Sequence, residues 1–345
     1  MFSIECFRGL PFQHESFLIK RYDSFVTTCR YIETFHTTYD INYLTIKEND
    51  CLDEVLIFNI KGNNITCLNS LAYIDEDVFE EFTKYIFVNF PAIQKIRIES
   101  TYNSVSLNKS VLLMRSDDFI IHLPPTIDDY YQNLGRNIRT KLMRLKRKLQ
   151  NDFPNVKFIT KIGTEIDKST IDKIIQLNFE RIKSKGNIPT KNHTHANKIY
   201  QYSQYYGCVS TIEIDGLIVA GSIAFMSDKS MAGFVVAHDN TYSKYNAGQL
   251  CMIYQIQFSI EKGFTQFHLL WGELEYKTRL LGKPQQMFTY EIYRSFSLQF
   301  FISGIKEIYS HTLFKIRLSK YSLPLRNTLK KIRKTSSKEL KELEY

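Results

Sequence analysis

Residues 207–277 read GCVSTIEIDGLIVAGSIAFMSDKSMAGFVVAHDNTYSKYNAGQLCMIYQIQFSIEKGFTQFHLLWGELEYK, and the order of signals in this stretch decides the fold. Cys208–Ile214 and Leu217–Met226 are strand-length apolar runs that meet at Asp215-Gly216, a dipeptide suited to a tight hairpin. Ser227–Ser230 makes a second turn into a strand at Met231–His238. A loop, Asp239–Ala247, leads to a helix that opens at Gly248 and stops at Lys262-Gly263, where glycine accepts the left-handed terminal conformation. A strand at Phe264–Trp271, a short helix from Glu273 to Leu281 and a strand at Gln285–Tyr293 follow. Upstream lie a strand at Val156–Ile162 and helices at Lys168–Ser184 and Thr194–Tyr206. The predicted order is β-α-α-β-β-β-α-β-α-β.

The first 125 residues repeat part of that order. A helix is expected around Phe12–Phe35, then strands at Ile41–Ile46 and Glu54–Ile60. Lys61-Gly62-Asn63-Asn64 turns into Ile65–Ile74, a helix follows at Asp75–Asn89, and strands at Ile93–Ile98 and Phe119–Leu123 end at Pro124-Pro125. Between the halves, Leu134, Ile138, Leu142, Leu145 and Leu149 form one apolar stripe, which predicts a helix over Thr126–Asn151. The expected organisation is an N-terminal lobe (1–125), a basic linker helix (126–152), a C-terminal lobe (153–310) and a basic tail (311–345). The fold class is α/β (α+β), each lobe a mixed, mostly antiparallel sheet flanked by helices.

The formal net charge of +9 is local. Seven basic residues and no acid lie between Asp129 and Asp152, and eight more without an acid run from Lys315 to Lys334. The remainder of the 345-residue chain is therefore net acidic, which argues against a generally polybasic protein. Six cysteines lack CxxC spacing, as reduced thiols in a cytoplasmic protein would. No apolar run approaches the length that spans a bilayer, and the first residues lack a signal-peptide pattern. His193 and His195 form an isolated HxH, too little for a metal site. No metal is expected.

The stretch quoted above resembles GNAT acyltransferases, in particular the CelD/BcsL-like subgroup related to the FemAB peptidyltransferases. The likeness rests on the Asp-Gly hairpin, the Tyr-rich loop before Gly248, and Gly272-Glu273-Leu274-Glu275-Tyr276-Lys277 after the next strand. The Arg/Lys-rich segment at 134–149 adds to it. The resemblance implies tandem GNAT-like lobes, acetyl-CoA or another acyl-CoA as donor, and a primary amine as acceptor. Amino sugars for cell-surface polysaccharide are one such acceptor class.

Such a donor carries a pyrophosphate, and backbone N–H groups at a helix N-terminus are the natural device for holding one. Lys244, Asn246, Ala247, Gly248, Gln249 and Leu250 occupy that place, with Val235 and Val236 on the strand before it; an ordinary helix start reads the same way. No glycine occurs between Asn63 and Leu134, so the donor is expected in the second lobe alone. Acyl transfer to an amine needs a base for the ammonium and an acid for the thiolate. Tyr276 is the candidate acid, Glu273 the first candidate base and His238 the second. Arg139, Arg144, Trp271, Glu275 and Lys277 are candidate acceptor contacts. The acceptor is a small amine, free or nucleotide-linked. tRNA is the alternative partner if the donor is an aminoacyl-tRNA, and the basic tail suits contact with the inner face of an anionic membrane. A non-catalytic protein of the same fold is the remaining reading.

Overall fold

The computed structural model describes residues 2–36, 40–49, 51–189, 193–272, 275–296 and 302. The predicted basic tail from 311 onward lies outside them. The strands are β1 (Phe2–Arg8), β2 (Ile41–Glu48), β3 (Cys51–Lys61), β4 (Asn64–Cys67), β5 (Lys95–Thr101), β6 (Ser110–His122), β7 (Lys157–Ile162), β8 (Gly207–Ile214), β9 (Leu217–Met226), β10 (Ser230–His238), β11 (Gln266–Trp271) and β12 (Lys283–Tyr293). The helices are α1 (Glu15–Tyr22), α2 (Cys29–Phe35), α3 (Glu76–Asn89), α4 (Ile127–Asn133), α5 (Arg136–Asp152), α6 (Lys168–Ser184), α7 (His193–Tyr206), α8 (Ala247–Glu261) and α9 (Glu275–Arg279).

All twelve strands form one sheet in the order β1-β2-β3-β4-β5-β12-β6-β11-β10-β9-β8-β7. The two halves obey one rule. Each lays five strands side by side in chain order, with one parallel pair joined through a helix: β4 and β5 through α3, β10 and β11 through α8. The expected repeat of one topology is therefore present. Its sixth strand is exchanged, since β6 pairs with β11 while β12 pairs with β5. β6 and β12 then pair with each other from Lys283↔Ile120 to Ile292↔Ser110 and close the seam.

Two expected helices are broken. Phe12–Phe35 becomes α1 and α2 because Asp23 turns left-handed at φ 45°, and its carboxylate accepts the Lys229 and Ser230 N–H groups at 2.9 and 3.2 Å. Thr126–Asn151 becomes α4 and α5 because Leu134 is extended and drops its buried side chain into the core, leaving Gly135 to start α5. Thr126 caps α4 through the Asp129 N–H. Leu142, Leu145 and Leu149 form the buried face of α5, as the stripe predicts.

α8 is buried almost all round, between β8–β10 and α4–α5, so it carries few charged side chains. Its polar groups are paired with the sheet. Gln255 accepts from Ser222 Oγ at 2.6 Å and donates to the carbonyls of Cys208 (3.0 Å) and Ser222 (3.2 Å), and Cys251 Sγ donates to Ser210 O. On the opposite face α6 presses Ile174 onto Gly221 of β9. A Cβ there would stand 2.3 Å from Ile174 Cγ1, so only glycine permits this approach. Gly221→Ala is expected to overpack the junction and destabilise the protein by about 1–3 kcal/mol, read as a lower urea midpoint at unchanged slope.

Candidate active site

β10 and β11 run together only over Ser230↔Gln266, Met231↔Phe267 and Ala232↔His268, and then part. Each strand contributes to the parting. β10 has a bulge between Gly233 and Val235 where Phe234 is the extra residue, and it stays paired to β9 as far as His238. β11 shifts register against β6 between His268 and Trp271, with Leu270 held at φ 56°. Beyond Ala232 the edge of β10 that faces β11 makes no ladder with it, so a wedge opens between the strand ends. Val235 and Val236 lie on this stretch, with Val235 packed toward α6 and Val236 toward α8.

The equivalent crevice of the first half is closed. After β4 the chain remains joined to β5 through an Ala72↔Thr101 bridge, with Leu71 N–H on Ser100 O at 2.9 Å and Tyr102 N–H on Ala72 O at 3.0 Å. The first turn of α3 carries Glu76 and Asp77, whose charges repel an anion, whereas the first turn of α8 has no acid.

α8 starts at the mouth of the wedge. Asn246 is left-handed at φ 56°, and its carbonyl accepts the N–H groups of Gln249 (2.9 Å) and Leu250 (3.0 Å). Those two donors of the expected cradle are thus committed. The N–H groups of Ala247 and Gly248, among the described residues, have no backbone acceptor and are the ones left to a ligand. Gly248 packs against the end of β10: a Cβ would lie 2.8 Å from His238 Nδ1. Lys244 and, from α5, Lys148 place their ammonium groups 5.0 and 5.6 Å from the Tyr245 ring centroid, beside this helix start. Two free N–H groups and two ammonium groups thus converge at this helix start.

His238 ends β10. Burial lowers its pKa, and the charges of Arg181 and Lys185 lower it further against the opposing Asp239. Tyr276, on α9 beyond β11, has its pKa raised by burial, with the Arg181 charge acting against that rise. The Arg181 charge thus acts on both groups. Trp271 stands 57% exposed at the end of β11, on the same rim. Glu273 lies outside the described residues.

Three expected acceptor contacts have other work. Lys277 is buried and donates to the carbonyls of Leu270 (2.7 Å) and Trp271 (2.8 Å), bracing the irregular end of β11 instead of facing a ligand. Glu275 pairs with Arg279 on the surface of α9. Arg139 bonds Tyr131 O at the start of α5, whereas α5 meets the wedge through its other end, where Asp152 accepts from Tyr245 OH at 2.7 Å. Arg144 is exposed on α5, in line with Arg147 and Lys148.

Residues 136–278 match the family model of the acetyltransferase (GNAT) domain. The match assigns a GNAT-type acetyltransferase fold to this segment. Among solved structures, FemX superposes with a TM-score of 0.65 at 9% identity over 87% of this chain and 100% of that one. A conserved protein of unknown function from Bacteroides thetaiotaomicron gives 0.55 at 12% identity, covering 84% and 99%. The C-terminal domain of a putative lysylphosphatidylglycerol synthetase from Agrobacterium fabrum gives 0.53 at 10%, covering 86% and 95%. These likenesses concern the fold. No curated protein matches the sequence.

The surroundings of the wedge also hold groups that sequence reading passed over. Arg181 has no motif around it and is visible only as a cation on the inward face of α6. At the base of the wedge, His268 Nδ1 lies 2.6 Å from Asp118 Oδ2, which also accepts from Tyr102 OH at 2.8 Å. This buried cluster joins β11, β6 and the end of β5, elements about 150 residues apart in part. No local pattern in the sequence announces it.

Lys277 supplies a pH test. Burial lowers its pKa from 10.5 to about 8, with the Asp118 charge opposing. Below pH 8 both folded and unfolded chains hold the proton, and the full cost of burying the charge is borne. Between about 8 and 10.5 the unfolded chain binds the extra proton, so stability rises with pH. The gain from this group is on the order of 3 kcal/mol. Denaturation of wild type and Lys277→Met across pH 7–10.5 is expected to show that rise in the wild type and not in the variant.

Proposed function

We propose that the protein is an N-acyltransferase that takes its acyl group from acyl-CoA bound at the β10–β11 wedge and passes it to the primary amine of a small acceptor. The observation that carries this reading is the open wedge with the α8 start at its mouth, set against the closed first-half crevice. Ala247 and Gly248 N–H groups and the cations Lys148 and Lys244 hold the phosphates. The free edge of β10, through Val235 and Val236, orients the thioester-bearing arm.

His238, its pKa lowered so that the imidazole is neutral near pH 7, takes the proton of the acceptor ammonium, directly or through water. The freed amine forms the new C–N bond at the thioester carbonyl as the C–S bond breaks. Tyr276, protonated throughout the working range, gives its phenolic proton to the departing thiolate and regains one from solvent. Trp271 offers an aromatic face for the acceptor. The CelD/BcsL-like likeness of residues 207–277 favours an amino sugar or a similar precursor of surface polysaccharide as that acceptor.

A second reading, aminoacyl-tRNA as donor, draws on the exposed basic face of α5 with Arg144, Arg147 and Lys148. Thermal denaturation with acetyl-CoA and free CoA separates the two. A ligand bound to the folded form alone stabilises by mass action, and saturating acetyl-CoA is expected to raise the melting temperature by a few degrees. Lys148→Ala/Lys244→Ala is expected to weaken CoA binding roughly tenfold and to flatten its salt dependence. No stabilisation by either ligand, with tight salt-sensitive tRNA binding instead, overturns the acyl-CoA reading.

A further inference from the structure

The inward face of α6 runs through Ile171, Ile174 and Asn178, all buried, and the next position on that face is Arg181. A cation therefore stands where the helical repeat places a core residue, at the end of α6 that overlooks the wedge. Its Nε is buried and has no hydrogen-bond partner. No acidic side chain among the described residues forms an ion pair with it. Desolvation accordingly lowers its pKa. The half-buried guanidinium thus has, among the described residues, no carboxylate to accompany it, and its buried Nε has no acceptor.

The position of Arg181 says where that anion belongs. The C-terminal end of α6 is tied to the exit of β10, where Asn240 Nδ2 donates to Ser184 Oγ at 3.2 Å, and the Arg181 charge acts on His238 at the end of β10 and on Tyr276 on α9. It comes from α6, on the face of the sheet opposite α8 and its N–H groups. Lys185, one residue past α6, acts on His238 too, so the positive field on this side exceeds one charge. Asp239 is the acid felt by His238, and it is already committed to Thr241 through N–H (2.9 Å) and Oγ1 (2.7 Å) bonds.

We infer that Arg181 is a specificity-determining residue that binds an oxyanion, carboxylate or phosphate, carried by the acceptor next to its amine. Amines bearing an acid group are then the substrate class, and unsubstituted amines are poor ones. The planar fork of arginine suits both anions through paired N–H donors. The inference rests on the acyltransferase reading above and narrows its acceptor.

The test measures binding of acetylated product analogues in the presence of CoA, by calorimetry, to wild type, Arg181→Gln and Arg181→Lys. The probes are N-acetylglycine against N-acetylglycinamide, and N-acetylglucosamine 6-phosphate against N-acetylglucosamine. At least one anionic probe is expected to bind about tenfold tighter than its neutral partner. Whichever pair shows the preference identifies carboxylate or phosphate as the source. The preference is expected to collapse in Arg181→Gln and to survive in part in Arg181→Lys, with thermal denaturation showing both variants folded. Equal binding of charged and neutral partners by the wild type overturns the inference, as does a preference that persists in Arg181→Gln. Loss of CoA binding in Arg181→Gln with the acceptor preference intact assigns the residue to the donor phosphates and overturns it too. CoA is titrated alone as well, so failure of the acyl-CoA reading registers separately from failure of the anion site.

Discussion

The exchange of β6 and β12 between the halves is the constraint on which everything else rests. Each half ends its own strand series one strand short and completes it with a strand from elsewhere in the chain. The β6–β12 ladder is the longest antiparallel run at the centre of the sheet, and it fixes how the halves face each other. Its consequence reaches the site. β11 is held on one side by β6, so its irregular turn at Leu270 can bend it away from β10 without loosening the sheet. Polar groups buried at the seam reinforce it, with Asp118 of β6 bonded to His268 of β11 and to Tyr102 after β5.

Opening a wedge in a sheet leaves backbone donors and acceptors unpaired, which is costly if they are buried and dry. The structure concentrates that cost in one half. In the first half the Ala72↔Thr101 bridge continues the parallel pairing where the second half leaves it off. The acids at the start of α3 match a closed, ligand-free crevice, and their absence from the start of α8 matches an open one. Gln255 and Cys251 tie α8 to β8 and β9, so the helix that presents free N–H groups is itself rigidly seated. An open and a closed crevice thus grow from one topology by changes at a few positions.

The sequence made legible whatever is local. The Asp215-Gly216 hairpin, the span of α8 and the inward stripe of α5 follow from turn chemistry and periodicity, and all three stand in the structure. The missing glycines of the first half fall in the half whose crevice is closed by the Ala72↔Thr101 bridge. Breaks imposed from a distance were not legible: Asp23 leaves α1 because its carboxylate serves the β9–β10 turn some 200 residues later. Nor was the strand exchange, since β12 carries the same apolar pattern whichever neighbour it meets. In the site, His238 meets the α8 start, where a Cβ on Gly248 would lie 2.8 Å from its Nδ1. Lys277 departs from its expected role because an amphipathic side chain in a short helix reads the same whether it points to a ligand or to carbonyls. Arg181 was hidden because a lone cation on an amphipathic helix looks like part of its solvated face.

Elsewhere in the protein, buried charge is answered. Glu54 meets Arg21 and Tyr22, Glu291 meets Lys95 and Tyr293, and Lys277 meets two carbonyls beside Asp118. Arg181, in contrast, has no ion-pair partner among the described residues, and Lys185 and the α8 N-terminus add positive charge on the same side. That field has a chemical use. It disfavours ammonium, which must lose its proton before attack, and favours thiolate, which must form as the donor is cleaved. It also weakens His238 as a base while the site is empty, since a neighbouring cation holds the imidazole pKa down. An acceptor that brings its own anion to Arg181 screens that cation and lets the His238 pKa climb. Under the proposed mechanism the base would then strengthen when the amine it must deprotonate arrives, and one guanidinium would both select the acceptor and tune the group that activates it.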